Sequence, residues 1–149
     1  MSEEWFWECH VQAASVAHLV REGWTIKRQA HTATRQQGID IVASKDGRRL
    51  AVEVKGFPST RYARGPNAGQ PKPTPPTLQA RHWFAGAVLT SILTRAKLTQ
   101  AEVALALPDL PRYRKLLEQA HWAGRLGIGV YLVHEDGRAE RLLDHHPRP

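Results

Sequence analysis

The fold is decided by residues 38–56, which read GIDIVASKDGRRLAVEVKG. Two short runs rich in Ile and Val, Gly38–Ser44 and Arg49–Lys55, are predicted as strands on either side of Asp46-Gly47. Asp-Gly between alternating apolar runs is a strong hairpin signal. The stretch therefore predicts two neighbouring antiparallel strands joined by a tight turn.

The turn also fixes which residues face each other across the hairpin. With Asp46 and Gly47 in the loop, Lys45 lies opposite Arg48, and the numbers of every facing pair sum to 93. One face of the hairpin then carries only apolar pairs, as a side facing the core requires. These pairs are Ala43 with Leu50, Ile41 with Val52, and Ile39 with Val54.

On the other face, the same register sets Asp40 directly opposite Glu53, with Lys55 two residues further along. Opposed like charges destabilise a sheet, so the pair requires a counter-charge. Lys55 could supply it within an exposed salt-bridged cluster. A divalent metal between the two carboxylates is the other interpretation, and magnesium suits it because it typically binds one or two carboxylates and phosphate oxygens.

The segments GIDIVA (38–43) and AVEVKG (51–56) resemble the restriction-endonuclease-like, or PD-(D/E)XK, nuclease superfamily, whose signature is an Asp followed by Glu-x-Lys on the next strand. Among its members, the chain looks closest to small stand-alone proteins similar to Holliday-junction resolvases and methylation-dependent restriction nucleases. Ile39 precedes Asp40 where the fullest signature has proline.

The resemblance implies a metal-dependent nuclease. Asp40 and Glu53, with the backbone carbonyl of Val54, would hold Mg²⁺ or Mn²⁺, and Glu8 on the first helix is a further candidate ligand. Lys55 would position or help to deprotonate the attacking water and stabilise charge on the phosphate. The catalytic residues implied are thus Asp40, Glu53 and Lys55.

Composition agrees with an acidic partner. The chain has 149 residues and a formal charge of +7, which favours nucleic acid. Its one cysteine, Cys9, excludes an internal disulfide and a Cys-rich metal site. The eight histidines show no ligand spacing. No stretch reads as a membrane span or secretory signal, so a cytoplasmic location without membrane partners is expected.

The element order predicted for the chain is α-β-β-β-α-β-α-β-β, an α/β three-layer core with a mixed central sheet flanked by helices. One domain, 1–149, is expected, with a basic Pro/Gly-rich loop at 56–77 and a short flexible tail from about 143. The predicted helices are Glu3–Arg21, Leu78–Lys97 and Pro111–Leu126. Besides the two hairpin strands, the predicted strands are Trp24–Ala33, Val103–Leu107, Ile128–Val133 and Arg138–Leu142. The first of these is expected at a sheet edge, and the second is expected to be buried on both faces.

Several further residues are candidates for the site. Gln12 shares a helix face with Glu8, and Gln79 begins a Gln-x-x-x-aromatic element that ends at Trp83. These two glutamines are predicted to support the site. The residues predicted to contact nucleic acid are Arg61, Tyr62, Arg64 and Lys72 in the loop, and Arg81 on the following helix. A basic start to the last helix is interpreted as a solvated face, with a second nucleic-acid or partner surface as the alternative, and it consists of Arg112, Arg114 and Lys115.

The function predicted is that of a Mg²⁺-dependent endonuclease-like phosphodiesterase acting on DNA, with a homodimer as one expected form. Three alternatives stay open: a nucleic-acid-binding module of the same fold without catalysis, a nuclease acting on RNA, and an assembly protein that uses its Trp-rich first helix as an interface.

Overall fold

The computed structural model describes residues 4–31, 38–62, 64–119 and 125–143. In this part of the chain, three helices flank a six-stranded mixed sheet in the predicted order, which confirms the α/β class. The helices are α1 (Glu8–Arg21), α2 (Pro76–Lys97) and α3 (Pro111–Gln119). The strands are β1 (Thr25–Gln29), β2 (Ile41–Lys45), β3 (Arg48–Val54), β4 (Glu102–Pro108), β5 (Ile128–Val133) and β6 (Ala139–Leu143).

The sheet follows the chain, in the order β1-β2-β3-β4-β5-β6. The strands β3, β4 and β5 are parallel, and the outer pairings are antiparallel. The predicted edge position of β1 is confirmed, and the step through α3 connects two parallel strands. Every residue of β4 is buried, as its continuous apolar run predicts.

Two hydrophobic layers separate the sheet from its helices. Along β4, Ala104 and Ala106 pack in the layer that contains Val11 and Leu19 of α1. The alternate β4 residues, Leu105 and Leu107, pack against α2 and α3 through residues such as Phe84, Tyr113 and Leu117. Burial of each such Val, Leu or Phe side chain contributes about 1.5–3 kcal/mol. Because successive side chains of a strand point to opposite faces of the sheet, β4 contributes residues to both layers of the core.

Some element ends differ from the prediction. The first helix begins at Glu8 rather than Glu3. Helix α2 begins at Pro76, two residues earlier than predicted. Proline suits the first helical turn because the N–H that it lacks is not needed there. As described, α3 ends at Gln119 rather than Leu126, and residues 120–124 lie outside the described part. The tail from 144 and the end of the strand predicted to reach Ala33 also lie outside it.

The segment between β3 and α2 contains no helix or strand among its described residues, as predicted, but its backbone folds back on itself. Arg61 bridges Pro71, and the N–H of Tyr62 donates to the carbonyl of Gln70 at 3.0 Å. The N–H of Lys72 donates to Thr60 at the same distance. These contacts bring the basic residues of the loop together. Among the described residues, no helix has the length and apolar character needed to cross a membrane.

Candidate metal and nucleic-acid site

The hairpin has the register that the sequence predicts. Five pairs, from Ile41 opposite Val52 to Lys45 opposite Arg48, have residue numbers that sum to 93. Most of the apolar face is buried, because Ile41, Ala43, Leu50 and Val52 are each 0% exposed, whereas Ile39 is only partly buried. One detail differs: Asp40 was predicted inside a strand but lies one residue before β2.

The carboxyl groups of Asp40 and Glu53 form a hydrogen bond with each other. A second carboxyl contact comes from the backbone, where the N–H of Val54 donates to Oδ2 of Asp40 at 2.7 Å. The main chain of Asp40 is also fixed, because its carbonyl accepts from the N–H of Ala30 at 2.8 Å. The structure therefore brings together the two acids that the register pairs.

This pair has unusual electrostatics. Burial, followed by the neighbouring charge of Asp40, raises the pKa of Glu53 to about 8. Burial also raises the pKa of Asp40, although the hydrogen bond from Val54 acts in the opposite direction. Two acids in contact cannot both ionise easily, so without a cation the pair retains a proton near neutral pH.

Lys55 and Glu8 complete the charged group. Nζ of Lys55 lies 3.7 Å from Oε1 of Glu8, at the first residue of α1. Burial raises the pKa of Glu8, with Lys55 lowering it and Asp40 raising it further. The charge of Lys55 thus acts on all three carboxyl groups, and the charge of Arg28 also lowers the pKa of Asp40, yet burial keeps all three pKa values raised.

Gly56 explains why α1 approaches the end of β3 so closely. A Cβ on Gly56 would lie 2.5 Å from the backbone nitrogen of Glu8 and 2.8 Å from the carbonyl oxygen of Phe6. The following N–H, of Phe57, donates to that carbonyl at 3.0 Å, and the Tyr113 hydroxyl donates to the carbonyl of Gly56 at 2.7 Å. Only glycine permits this contact, which sets Glu8 beside Lys55.

The donor set fits a small divalent cation. Asp40 and Glu53 offer carboxylate oxygens, the ligands that Mg²⁺ and Mn²⁺ prefer, and a cation would supply the charge that the pair lacks. Glu8 is a nearby third acid. The hydrogen bond from the N–H of Val54 to Asp40 holds Val54 beside the pair. That the carbonyl of Val54 is a metal ligand stays a prediction.

The predicted supporting residues have other contacts. Gln12 is 3% exposed, and its Nε2 donates to the carbonyl of Ala30 at 2.7 Å. Because the N–H of Ala30 binds Asp40, Gln12 connects α1 to the backbone that carries the acid. Gln79 lies in the first turn of α2, where its Oε1 is buried and accepts no hydrogen bond from the described residues.

A cleft of about 530 Å³ opens beside Lys55 and Glu8. Three of the loop residues predicted to contact nucleic acid line it: Tyr62, Arg64 and Lys72. Trp7, Phe57 and Trp83 add aromatic walls to the same cleft. The sequence indicated Trp83 only weakly and Phe57 not at all, and Trp7 was interpreted as a packing or interface residue.

The remaining two predicted nucleic-acid contacts lie elsewhere. Arg61 is exposed on the loop, where its Nη1 donates to the carbonyl of Gly69 at 2.8 Å. Arg81 lines a separate groove between α2 and α3. Contact of these two arginines with nucleic acid stays a prediction.

A second cluster, Asp109, His134, Glu140 and Arg114, was not predicted. In the described part of the chain, the first three form a group whose ligand atoms all lie within 4.8 Å of one another, and they could hold a metal ion. Arg114 remains partly exposed, as the solvated face predicted for it requires, but it also forms ion pairs that were not predicted. Its Nε lies 2.5 Å from Oδ1 of Asp109, and its Nη2 lies 2.8 Å from Oε2 of Glu140.

Comparison with known proteins supports the fold. A crystal structure of an XisH family protein from Nostoc punctiforme PCC 73102 is similar to this chain, with a TM-score of 0.51 and 16% sequence identity. The match covers 87% of this chain and 95% of that chain. At such low identity the likeness concerns the fold alone. No protein-family model and no curated protein matches the chain.

Proposed function

We propose that the chain is a metal-dependent nuclease that hydrolyses phosphodiester bonds in DNA at Asp40, Glu53 and Lys55. The observation that carries the proposal is the hydrogen-bonded carboxyl pair of Asp40 and Glu53, whose pKa values are both raised although Lys55 acts to lower them. Perturbed acids beside a cationic cleft are typical of catalytic sites. The resemblance of the Asp and Glu-x-Lys segments to restriction-endonuclease-like nucleases supports the same reaction.

The residues of the chain have separate tasks in this proposal. Asp40 and Glu53 would hold Mg²⁺ or Mn²⁺, which when bound polarises the phosphate and acidifies a water molecule. Lys55 is the cation that faces the cleft next to this pair, and its ammonium stabilises the negative charge that develops on the phosphate. Glu8, at 3.7 Å, orients that ammonium. Tyr62, Arg64 and Lys72 hold the DNA strand.

Cleavage of DNA tests the proposal. The purified protein is incubated with supercoiled plasmid, with single-stranded and branched DNA, and with single-stranded RNA, in Mg²⁺ or Mn²⁺. Lys55→Ala should reduce the rate by about 10²–10³-fold, the usual effect of removing a group that stabilises transition-state charge. Lys27→Ala is the matched control, because Lys27 is an exposed lysine on β1.

Two outcomes reject the proposal. If wild-type protein cuts none of these DNAs but binds them with steep salt dependence, the chain is a nucleic-acid-binding module without catalysis. If Lys55→Ala cuts as fast as wild type, the catalytic assignment is wrong. If the protein cuts RNA in preference to DNA, the same residues belong to a nuclease that acts on RNA.

A further inference from the structure

The cleft beside the carboxyl pair combines cations with aromatic rings. Nζ of Lys55 lies 5.2 Å from the ring centroid of Trp83, and Nζ of Lys72 lies 6.0 Å from the same centroid. Lys72 also lies 5.9 Å from the ring centroid of Tyr62. Two ammonium groups therefore converge on one indole ring that forms a wall of the cleft.

The charge of the cleft selects an anion. Three cations line it, Lys55, Arg64 and Lys72, against one carboxylate, Glu8, which is paired with Lys55. The charged lining residues thus carry an excess of positive charge, which attracts an anion into the cleft. A phosphodiester group is the anion that the adjoining acid pair would act on.

The rings select a flat, polarisable group. Trp83 and Tyr62 are half-buried, so each has part of its surface open to the cleft. Phe57, which lines the same cleft, is held by edge-on ring contacts with Tyr113 at 5.2 Å and Phe6 at 6.1 Å between centroids. Aromatic side chains in a cationic groove stack with the bases of single-stranded nucleic acid.

The size of the cleft agrees with such a ligand. A volume of about 530 Å³ lies within the range of roughly 300–1,000 Å³ that small-molecule sites have. In a duplex, the faces of each base are covered by neighbouring bases, so a base reaches such a cleft only if it is unpaired or extruded from the helix.

We infer that this cleft binds an unpaired nucleotide of the DNA strand, with the base stacked on Trp83 and Tyr62 and the adjacent phosphate between Lys55 and Lys72. The inference rests on the proposed function and deepens it. The inference predicts that the preferred substrate has unpaired bases next to the cut, as a single-stranded end, a flap or a branch does, and is not a continuous duplex.

Binding without metal tests this inference separately from catalysis. Fluorescence anisotropy in EDTA compares three labelled DNAs: a single strand, the same strand with a run of abasic sites, and a blunt duplex of the same sequence. The abasic strand has the same phosphates but no bases. Wild-type protein should bind the intact strand about tenfold or more tighter than the abasic strand, because stacking is lost.

Variants then locate the effect. Trp83→Ala should remove most of the preference for the intact strand, and Trp83→Phe should retain part of it because a ring remains. Tyr62→Ala, on the loop, gives a second variant that does not depend on how α2 tolerates the change. Lys27→Ala, an exposed lysine on β1, should leave the preference unchanged.

Equal binding of intact and abasic strands by the wild type would overturn the inference, as would an unchanged preference in Trp83→Ala and Tyr62→Ala. The outcomes also separate it from the proposed function. If the protein prefers the intact strand but never cuts DNA, nucleotide binding in the cleft is supported and the nuclease function is rejected. If wild type and Trp83→Ala both cut blunt duplex and single strand at equal rates, the nuclease function is supported and nucleotide binding in the cleft is rejected.

Discussion

Two groups of acidic residues near the ends of strands differ in how their charge is compensated. The carboxyls of Asp40 and Glu53 bind each other, and both have a raised pKa. In the second cluster, Arg114 contacts both Asp109 and Glu140, and its hydrogen bonds lower the pKa of Asp109. In the second group a guanidinium offsets the carboxylate charge, whereas in the first group burial outweighs the effect of the nearby cations on the pKa values.

The difference bears on which of the two groups would take a metal. Asp109, His134 and Glu140 have ligand atoms close together, but Arg114 already contacts both carboxylates, so a metal would have to displace it. Asp40 and Glu53 are fewer ligands, but burial and mutual repulsion raise both of their pKa values. Perturbed acids of this kind are the ones that our proposal assigns to the metal.

The largest effect that separates the two regions is on catalysis. Glu53→Gln should reduce DNA cleavage by about 10³-fold, because it removes a carboxylate ligand and its charge. Asp109→Asn should change the rate by less than about threefold, because its partners hold α3 and β6 rather than substrate. Rates of plasmid nicking under matched conditions measure both. An equal loss in the two variants would remove the distinction.

The next effect concerns the close contact that sets Glu8 beside Lys55. Gly56→Ala should destabilise the protein by about 1–3 kcal/mol, because the added Cβ meets the backbone of Glu8 and Phe6. Gly86→Ala is the control, since a Cβ there meets nothing within 4 Å and helix propensity favours alanine. Urea denaturation measures both. Gly56→Ala with wild-type stability would show that the approach is not required.

Stability should respond to pH in opposite directions in the two regions. The pKa of Glu53 is raised to about 8 by burial and by Asp40, so ionising it opposes folding. In EDTA the free energy of unfolding should therefore fall by roughly 1–3 kcal/mol as the pH rises from near 4.5 to 8, and stay level above that. Asp109, with a lowered pKa, contributes stability above its ordinary pKa that is lost as the pH falls below it.

Denaturation curves across that pH range check the prediction. Glu53→Gln should remove most of the decline toward pH 8, because glutamine does not ionise. If the variant declines as steeply as wild type, the raised pKa of the pair does not govern stability there.

The smallest effect lies in the second cluster. Arg114→Ala should cost about 1 kcal/mol, since the guanidinium is partly exposed and solvent weakens its two ion pairs. Arg49→Ala, at an exposed position of β3, should change stability by less than about 0.5 kcal/mol. Thermal melts compare the two variants. No difference between them would mean that the second cluster does not stabilise the fold.

The sequence predicted the carboxyl pair because the hairpin is local. A turn at Asp46-Gly47 fixes the register of the flanking strands, so the meeting of Asp40 and Glu53 follows from counting residues. The element order and the buried strand β4 were predictable for a similar reason, since each depends on periodicity within one segment.

The other contacts were not predictable, because they depend on tertiary packing. Asp109 follows β4, His134 follows β5, and Arg114 and Glu140 lie on α3 and β6, so no spacing in the sequence connects them. Gly56 looked like the start of a loop, and only the packing of α1 against it shows why glycine is required.

Calorimetric titration of Mg²⁺ or Mn²⁺, buffered above the raised pKa of Glu53, tests the central claim most directly. Wild type and Asp109→Asn should bind one cation with equal affinity, and Glu53→Gln should bind more than about tenfold more weakly, since even the loss of outer-shell partners typically costs that much. Retained binding in Glu53→Gln together with its loss in Asp109→Asn would contradict the account and move the metal to the second cluster.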